Sequence, residues 1–222
     1  MQTDIDSAIK KTVEFVKKTL AGAEAGHDWF HIERVYQTAL NINAVEQGDP
    51  HVVMLAALLH DIADSKFNNG DEEIGPEMAG NFMAAINLPE HVIIHVQQII
   101  RNLSYKASLG TVLFHSRELD IVQDADRLDA IGAIGIARAF TYGGYKNRVM
   151  YDPAIASDLN MDKEAYKNSA APTINHFYEK LLRLKDLMKT AKGKELAEQR
   201  HQFMLSYLEQ FYAEWEGKNQ YS

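Results

Sequence analysis

Histidine and aspartate residues at three separate places in the chain have the types and order that a metal site needs. They are His31, the adjacent pair His60–Asp61, and Asp126. The pair follows the apolar run Val52–Leu59, which has no polar face and is therefore expected to be buried as a helix. Ending a buried helix on an imidazole and a carboxylate costs free energy unless both groups are paired or bind a cation. The four side chains together therefore indicate one metal site.

Two imidazoles and two carboxylates form a mixed nitrogen and oxygen ligand set. Such a set suits Mn²⁺, Mg²⁺, Fe²⁺, Co²⁺, Ni²⁺ or Zn²⁺ with open positions for water and a substrate oxygen, rather than a closed structural zinc site. An ion of this kind could polarise a phosphoryl oxygen and lower the pKa of a water molecule to near neutrality. The residue types are therefore compatible with chemistry on a phosphoryl group.

Helical periodicity decides which of these side chains can face a core. His31 shares a face with Val35 and Ile42, so its ring is expected to point inward. Asp126 and Asp129 lie on one predicted face, with Asp124 and Arg127 on the neighbouring one, and periodicity does not choose between the first two as a ligand. The alternative is that these acids form buried ion pairs with Arg127 or Arg34.

Composition sets limits on the class of protein. With 222 residues and 46 % hydrophobic residues, the chain can bury a core as one domain or at most two. A net charge of −8 argues against non-specific binding to nucleic acid or anionic membranes. The absence of cysteine excludes disulfides, thiolate zinc sites and cysteine nucleophiles. Residues 1–6 show no signal-peptide pattern and no apolar run is long enough to cross a bilayer, so we expect a cytoplasmic protein.

The chain has only five prolines, and its apolar residues recur at helical spacing. This pattern predicts an all-α protein with a single domain over residues 1–222. The predicted helices span about 5–20, 28–42, 51–64, 72–86, 90–101, 116–142, 173–189 and 194–216. The segment 143–172 contains glycines and prolines without periodicity and is predicted to be a loop or lid. Aromatic residues of the last two helices, among them Phe177, Phe203 and Phe211, are expected in the core, although a homodimer interface would explain them equally well.

Three segments resemble one family in the order His … His-Asp … Asp. The segments 26–35, 58–66 and 123–133 are similar to the HD-domain metal-dependent phosphohydrolases, an all-helical superfamily, and especially to a bacterial stand-alone subgroup of about this length. The resemblance implies an HD-type helical bundle with a metal-site core at about 26–144 and a C-terminal helical pair at about 173–216.

The resemblance also implies roles for single residues. It makes His31, His60, Asp61 and Asp126 the metal ligands, since the last ligand of the family directly precedes a basic residue, here Arg127. One divalent metal ion is implied, with Mn²⁺ as the first expectation. Some relatives use additional histidines for a second metal, and His91 and His95 are the candidates for that in this chain.

Residues near the ligands are expected to act on the substrate. Relatives place an acidic residue, usually Glu, three positions after the pair, and Asp64 stands there in this chain. Asp64 and Asp61 are therefore the predicted catalytic residues, for proton transfer or water orientation. The predicted substrate contacts are Arg34, Lys66, Arg127 and His27, and Lys106, Lys146 and Arg148 are further candidates only because they lie in predicted loops. The alternative for each cation is contact with water or a nearby acid.

Members of the family hydrolyse several kinds of nucleotide. The resemblance therefore implies a metal-dependent phosphohydrolase, with a nucleoside-triphosphate pyrophosphohydrolase or nucleotidase as the leading expectation. Two other functions occur on this fold and stay open at this point. One is a di-iron oxygenase, and the other is a non-catalytic module that senses a nucleotide.

Overall fold

The backbone is all-α wherever the structure describes it, as the sequence predicts. A computed structural model describes residues 5–22, 28–63, 71, 73–103, 114–160 and 169–218, and no strand occurs among them. No helix in these ranges combines the length and apolar character needed to cross a membrane. The chain divides into two compact units, one ending at Asp126 and the other beginning at Arg127. The single domain stays a prediction.

The first unit is built from α1 to α5 and most of α6. Their bounds are α1 Ile5–Thr19, α2 Trp29–Glu46, α3 Pro50–Leu59, α4 Ile74–Ala85, α5 Glu90–Leu103 and α6 Arg117–Asp129. All six starts lie within two residues of the prediction, because local signals mark where helices begin. For example, Asp28 is extended and its Oδ1 accepts the backbone N–H of His31, which is the capping arrangement that begins α2.

Helix α3 is the buried centre of this unit. It packs against α1, α2 and α5, and all of its residues from Val52 to Leu59 except Met54 are buried. Burial of each large side chain contributes about 1.5–3 kcal/mol, so this short helix carries much of the core energy. The predicted end near Asp64 is wrong, because α3 ends at Leu59. The apolar run ends there, and the His60 side chain bonds to a carbonyl of the last turn.

Helix α6 is fixed at its start and middle by side-chain hydrogen bonds. Glu118 Oε1 accepts the backbone N–H of Asp49, 2.9 Å away, in the turn between α2 and α3. One turn later, Gln123 Nε2 donates to the Leu103 carbonyl at 2.9 Å, at the end of α5. These bonds hold α6 in register with the elements that carry the other predicted ligands, and so determine where Asp126 lies.

The described part of the second unit contains three α-helices and one 3₁₀ helix. They are α7 Gly132–Tyr145, α8 Thr173–Glu179, the 3₁₀ helix Leu181–Leu187 and α9 Ala191–Trp215. The core contains stacked rings, with Phe177 completely buried and its centroid 6.0 Å from that of Tyr207. The core assignment of Phe177 is confirmed. Phe211 is half-buried, with its ring centroid 6.5 Å from that of Phe140, and Phe203 is 53 % exposed and lies outside the core.

Two predicted helices differ from the structure at their interruptions. The helix predicted over 116–142 is broken at Ala130–Ile131, because Gly132 has a φ of +74°. At this break the Leu128 carbonyl accepts the N–H of Ile131 at 3.2 Å, and Arg200 Nη1 donates to the same oxygen. Gly143 and Gly144, the predicted stop, lie inside α7.

The predicted helix over 173–189 is also divided. It consists of the short α8 and the 3₁₀ helix, separated at Lys180, whose φ of −140° is not helical. Helix α9 begins at Ala191 rather than Lys194, because Thr190 Oγ1 accepts the N–H of Gly193 and so caps the helix. The described parts of 146–172 are irregular, as predicted.

Replacement of Gly135 by alanine should reduce stability by about 1–3 kcal/mol, because overpacking forces the backbone to move. An added Cβ would lie 2.3 Å from the Ala130 carbonyl oxygen, which belongs to the backbone and cannot swing aside. Gly144→Ala in the same helix is the matched control, since nothing lies within 4 Å of its added Cβ, and it should be neutral or slightly stabilising. Chemical denaturation would measure both, and equal stabilities would contradict the prediction.

His176 should make stability depend on pH. Burial, together with the charges of Lys180 and Arg148, lowers the pKa of its imidazole from 6.5 to about 3. Between pH 6.5 and about pH 3 the unfolded chain binds more protons at His176 than the folded chain does. The stability gained from the neutral imidazole is therefore present above pH 6.5 and is lost as the pH falls toward 3. The free energy of unfolding of the wild type should therefore fall more steeply below pH 6.5 than that of His176→Gln. Parallel pH profiles of the two proteins would refute this role.

Candidate metal centre

His31 is held by the first turn of α2. The Asp28 cap accepts its backbone N–H at 3.0 Å, and Ile32 and Val35 are fully buried beside it. The His31 side chain is itself only 3 % exposed. A buried imidazole needs polar partners, and the hydrogen-bonded cap fixes the direction in which it can find them.

His60 is held by the last turn of α3. Its Nδ1 lies 2.9 Å from the Ala57 carbonyl oxygen, and because a carbonyl can only accept, Nδ1 carries the hydrogen. The bond also satisfies a carbonyl at the helix end that would otherwise lack a partner. It leaves Nε2 free to bind a cation, the arrangement usual for metal-ligating histidines.

Three predicted ligands converge within 4 Å. His31 Nε2 lies 3.3 Å from His60 Nε2 and 3.5 Å from Asp126 Oδ1, and His60 Nε2 lies 3.7 Å from the same carboxylate oxygen. A search of the described residues for three or more His, Cys, Asp or Glu side chains that could hold a metal ion finds this group. The Asp126 side chain is 36 % exposed, so the cluster is buried on the histidine side and open on the carboxylate side.

The chemistry and spacing of these donors fit a divalent cation. Bonds of about 2.1 Å to nitrogen and oxygen would place neighbouring ligand atoms about 3.0–3.4 Å apart, close to the separations in the cluster. Without a cation, two imidazole nitrogens can approach to 3.3 Å only when one of them carries a proton. The donor set therefore fits an ion with about the radius of Mn²⁺, Fe²⁺ or Zn²⁺ after small adjustments.

The surroundings of His60 favour a protonated imidazole. Burial alone lowers its pKa, but the hydrogen bond and charge of Asp126 act in the opposite direction. With the Asp61 charge and the Ala57 carbonyl added, the pKa rises from 6.5 to about 9. The site thus already attracts positive charge, and a bound cation would take the place of this proton.

The carboxylates around the cluster occupy different positions. Asp61 Oδ2 lies 4.0 Å from His31 Nε2, at the edge of the cluster. Asp126 joins the histidines, whereas Asp129 is buried and forms an ion pair with Arg138. Asp124, on the predicted neighbouring face, is completely buried as well.

The predicted substrate contacts are only partly described. Arg34 is half-buried on α2, and the Arg127 side chain is buried and donates to the Leu187 carbonyl at 2.6 Å. This bond makes Arg127 a structural anchor within the second unit, and a contact with phosphate stays a prediction. Three predicted substrate contacts lie outside the described residues, namely His27, Lys66 and Lys106. The same is true of Asp64, a predicted catalytic residue.

The histidines proposed for a second metal do not join the cluster. His91 is exposed, while His95 Nε2 lies 3.0 Å from Ser116 Oγ and 3.5 Å from Glu118 Oε2. Ser116 and Glu118 were not singled out from the sequence, because their partners come from other helices. Both contacts use the same nitrogen, and Ser116 Oγ also caps α6 by accepting the Leu119 N–H, so this group has a structural role.

Removal of a ligand should weaken metal binding by at least about tenfold. Loss of a residue that only supports a ligand typically weakens metal affinity by about 10- to 100-fold, and loss of the ligand itself should cost no less. We expect this for His60→Ala and Asp126→Asn, because each removes one donor from the cluster. The control is His91→Ala, an exposed histidine outside it. Calorimetric titration with Mn²⁺ and metal analysis after dialysis would measure the effect. Unchanged affinity and stoichiometry in both ligand variants would disprove the assignment.

Known proteins resemble the chain over nearly its whole length. Residues 29–131 match the HD domain family model. YpgQ of Bacillus subtilis (strain 168) is 35 % identical over 198 residues, which are 88 % of each chain. Among solved structures, an HD-superfamily hydrolase from Bacillus thuringiensis is 42 % identical and superimposes with a TM-score of 0.78, covering 96 % of this chain and 100 % of that one.

A crystal structure of B. subtilis YpgQ in complex with ADP is also similar. It is 35 % identical, has a TM-score of 0.74, and the match covers 95 % of this chain and 96 % of that one. The HD domain match begins at the helix that carries His31 and extends beyond Asp126. The fold, the order of the clustered residues and these similarities lead to one conclusion. This chain belongs to the HD domain superfamily.

Proposed function

We propose that this protein is a divalent-metal-dependent phosphohydrolase that acts on a nucleotide. The observation that carries the proposal is the convergence of His31, His60 and Asp126, with ligand atoms 3.3–3.7 Å apart. Membership of the HD superfamily, whose relatives include a described HD-superfamily hydrolase, supports the hydrolytic activity. The complex of YpgQ with ADP supports a nucleotide as the substrate class.

His31, His60 and Asp126 would hold the cation, with Asp61 as the fourth ligand expected from the family. When bound, a divalent cation supplies Lewis-acid polarisation of a phosphoryl oxygen and lowers the pKa of water. The protein supplies rigidity on one side, where capping and burial fix both rings. On the other side the exposed Asp126 carboxylate leaves access for a phosphate group.

Proton transfer and charge neutralisation fall to neighbouring side chains. Asp61 is one-fifth exposed and lies at the edge of the cluster, so it can orient a water molecule by accepting a hydrogen bond. Asp64 remains the second candidate for proton transfer, on the basis of its position three residues after the pair. Arg34 lies one helical turn after His31 and is the described cation that we propose for the phosphate oxygens.

Substitution of a proposed ligand should abolish turnover. We expect Asp126→Asn and His60→Ala to reduce the rate by at least about a hundredfold, because the loss of supporting residues already costs up to that amount in metal sites. The measurement is release of phosphate and diphosphate from mono-, di- and triphosphates of several nucleosides with Mn²⁺, Mg²⁺, Co²⁺ or Ni²⁺. The products identify the bond that is cleaved.

His91→Ala serves as the control in the same assay. Full turnover in excess chelator, with the metal shown to be gone, would disprove metal-dependent hydrolysis. Tight nucleotide binding without turnover with any of the four ions would favour a sensing module instead. Oxygen consumption with two equivalents of iron would favour an oxygenase.

A further inference from the structure

A cavity in the second unit has a composition unlike that of the protein as a whole. It is open to solvent, has a volume of about 450 Å³, and lies where α7 passes into the following loop. Its lining includes Tyr142, Lys146, Asn147, Arg148, Val149 and Ser169. The volume is within the range of about 300–1,000 Å³ that small-molecule sites occupy.

The cavity concentrates positive charge in an acidic protein. Lys146 and Arg148 both line it, and no carboxylate is among its described lining residues, although the chain has a net charge of −8. Two like charges so close to one another repel unless something negative lies between them. The Arg148 charge also acts on Glu179, which does not line the cavity and whose pKa is raised chiefly by its own burial.

An exposed aromatic surface accompanies the two cations. The Lys146 Nζ lies 5.1 Å from the ring centre of Tyr145, and the Arg148 guanidinium lies 5.7 Å from that of Tyr142. Tyr142 is 48 % exposed and Tyr145 is 67 % exposed, so neither ring is part of the packed core. Exposed rings beside cations provide a surface on which a flat ligand group can stack while its charged end is bound.

The end of α7 explains why the cations lie close together. The carbonyls of Tyr142, Gly143 and Gly144 accept the backbone N–H groups of residues 146, 148 and 147, at 2.9–3.1 Å. Asn147 takes a positive φ of 54° to close this turn. Cations are common at a helix C-terminus because of its dipole. Here the last carbonyls already accept backbone N–H groups, so neither cation is needed to satisfy them.

The charge of Arg148 also acts on a buried neighbour, and its guanidinium is held by a hydrogen bond. His176 is mostly buried near Arg148 and Lys180, and after burial itself the charges of these two residues hold its pKa well below the ordinary value. Arg148 Nη2 also donates to the Ser169 carbonyl, which keeps the guanidinium in position. A guanidinium fixed before binding loses little entropy when an anion arrives.

We propose that this cavity is a binding site for a phosphorylated small molecule. Lys146 and Arg148 bind the phosphate oxygens, and Tyr142 contacts a planar ring where the ligand has one. Inorganic diphosphate and a nucleoside diphosphate share the chemistry that the cations recognise, and only the second offers a ring. The proposal does not rest on the proposed hydrolytic function, because none of the candidate metal ligands takes part in it.

The test is calorimetric titration of the full chain, in the presence of chelator, with ADP, diphosphate and adenosine. We expect ADP and diphosphate to bind in the micromolar to millimolar range, with an affinity that falls as salt is added. Lys146→Ala and Arg148→Gln should each weaken binding by about fivefold or more. Lys194→Ala removes an exposed lysine of the same unit that does not line the cavity, and should leave binding unchanged.

Tyr142→Leu separates the two possible ligands. Weaker binding of ADP but not of diphosphate supports a nucleotide site. If the substitution weakens the binding of neither ligand, the site recognises the phosphate groups alone. Absence of binding of both anions, binding of adenosine alone, or binding that neither Lys146→Ala nor Arg148→Gln weakens would overturn the proposal. Far-ultraviolet circular dichroism of each variant establishes that it is folded.

Discussion

The candidate metal centre depends on the way in which α3 ends. This helix is buried around almost its whole circumference, so its axis and rotation are set by packing against three neighbouring helices. Its last turn exposes a carbonyl, and the His60 ring satisfies that carbonyl through Nδ1. One hydrogen bond thereby completes the helix end and directs Nε2 toward His31 and Asp126. The hydrogen bond that satisfies the Ala57 carbonyl therefore also positions the His60 side chain.

Burial and exposure have different roles around the cluster. The two histidines lie in surroundings of low polarity, where the nearby carboxylates strengthen the attraction for positive charge. The raised pKa of His60 is the direct result. The Asp126 carboxylate lies partly in solvent, so the cluster is accessible from that side. The proposed hydrolytic function requires such access, because a fully buried cluster would exclude a phosphate compound.

Local signals explain how much of the fold could be predicted. Asp28 and Asp49 precede their helices as capping residues, and the run Val52–Leu59 is apolar on all faces, so two of the helices that carry the cluster were expected. Periodicity also predicted the inward direction of His31. It failed at Gly132 and at Lys180, where the chain leaves the helix. At Gly132 the side chain of Arg200, which comes from 68 positions further along the chain, contacts the site of the break and binds the Leu128 carbonyl.

The choice between Asp126 and Asp129 marks the limit of what the residues alone could determine. The sequence by itself determined the helical character of the chain, the caps, and the three segments whose side chains could bind a metal, because these properties depend on neighbours within one or two turns. Only the tertiary structure decided that Asp126 meets the histidines while Asp129 pairs with Arg138 across the break after α6. Distances between side chains on different helices depend on packing and on long-range hydrogen bonds, which no short-range pattern encodes.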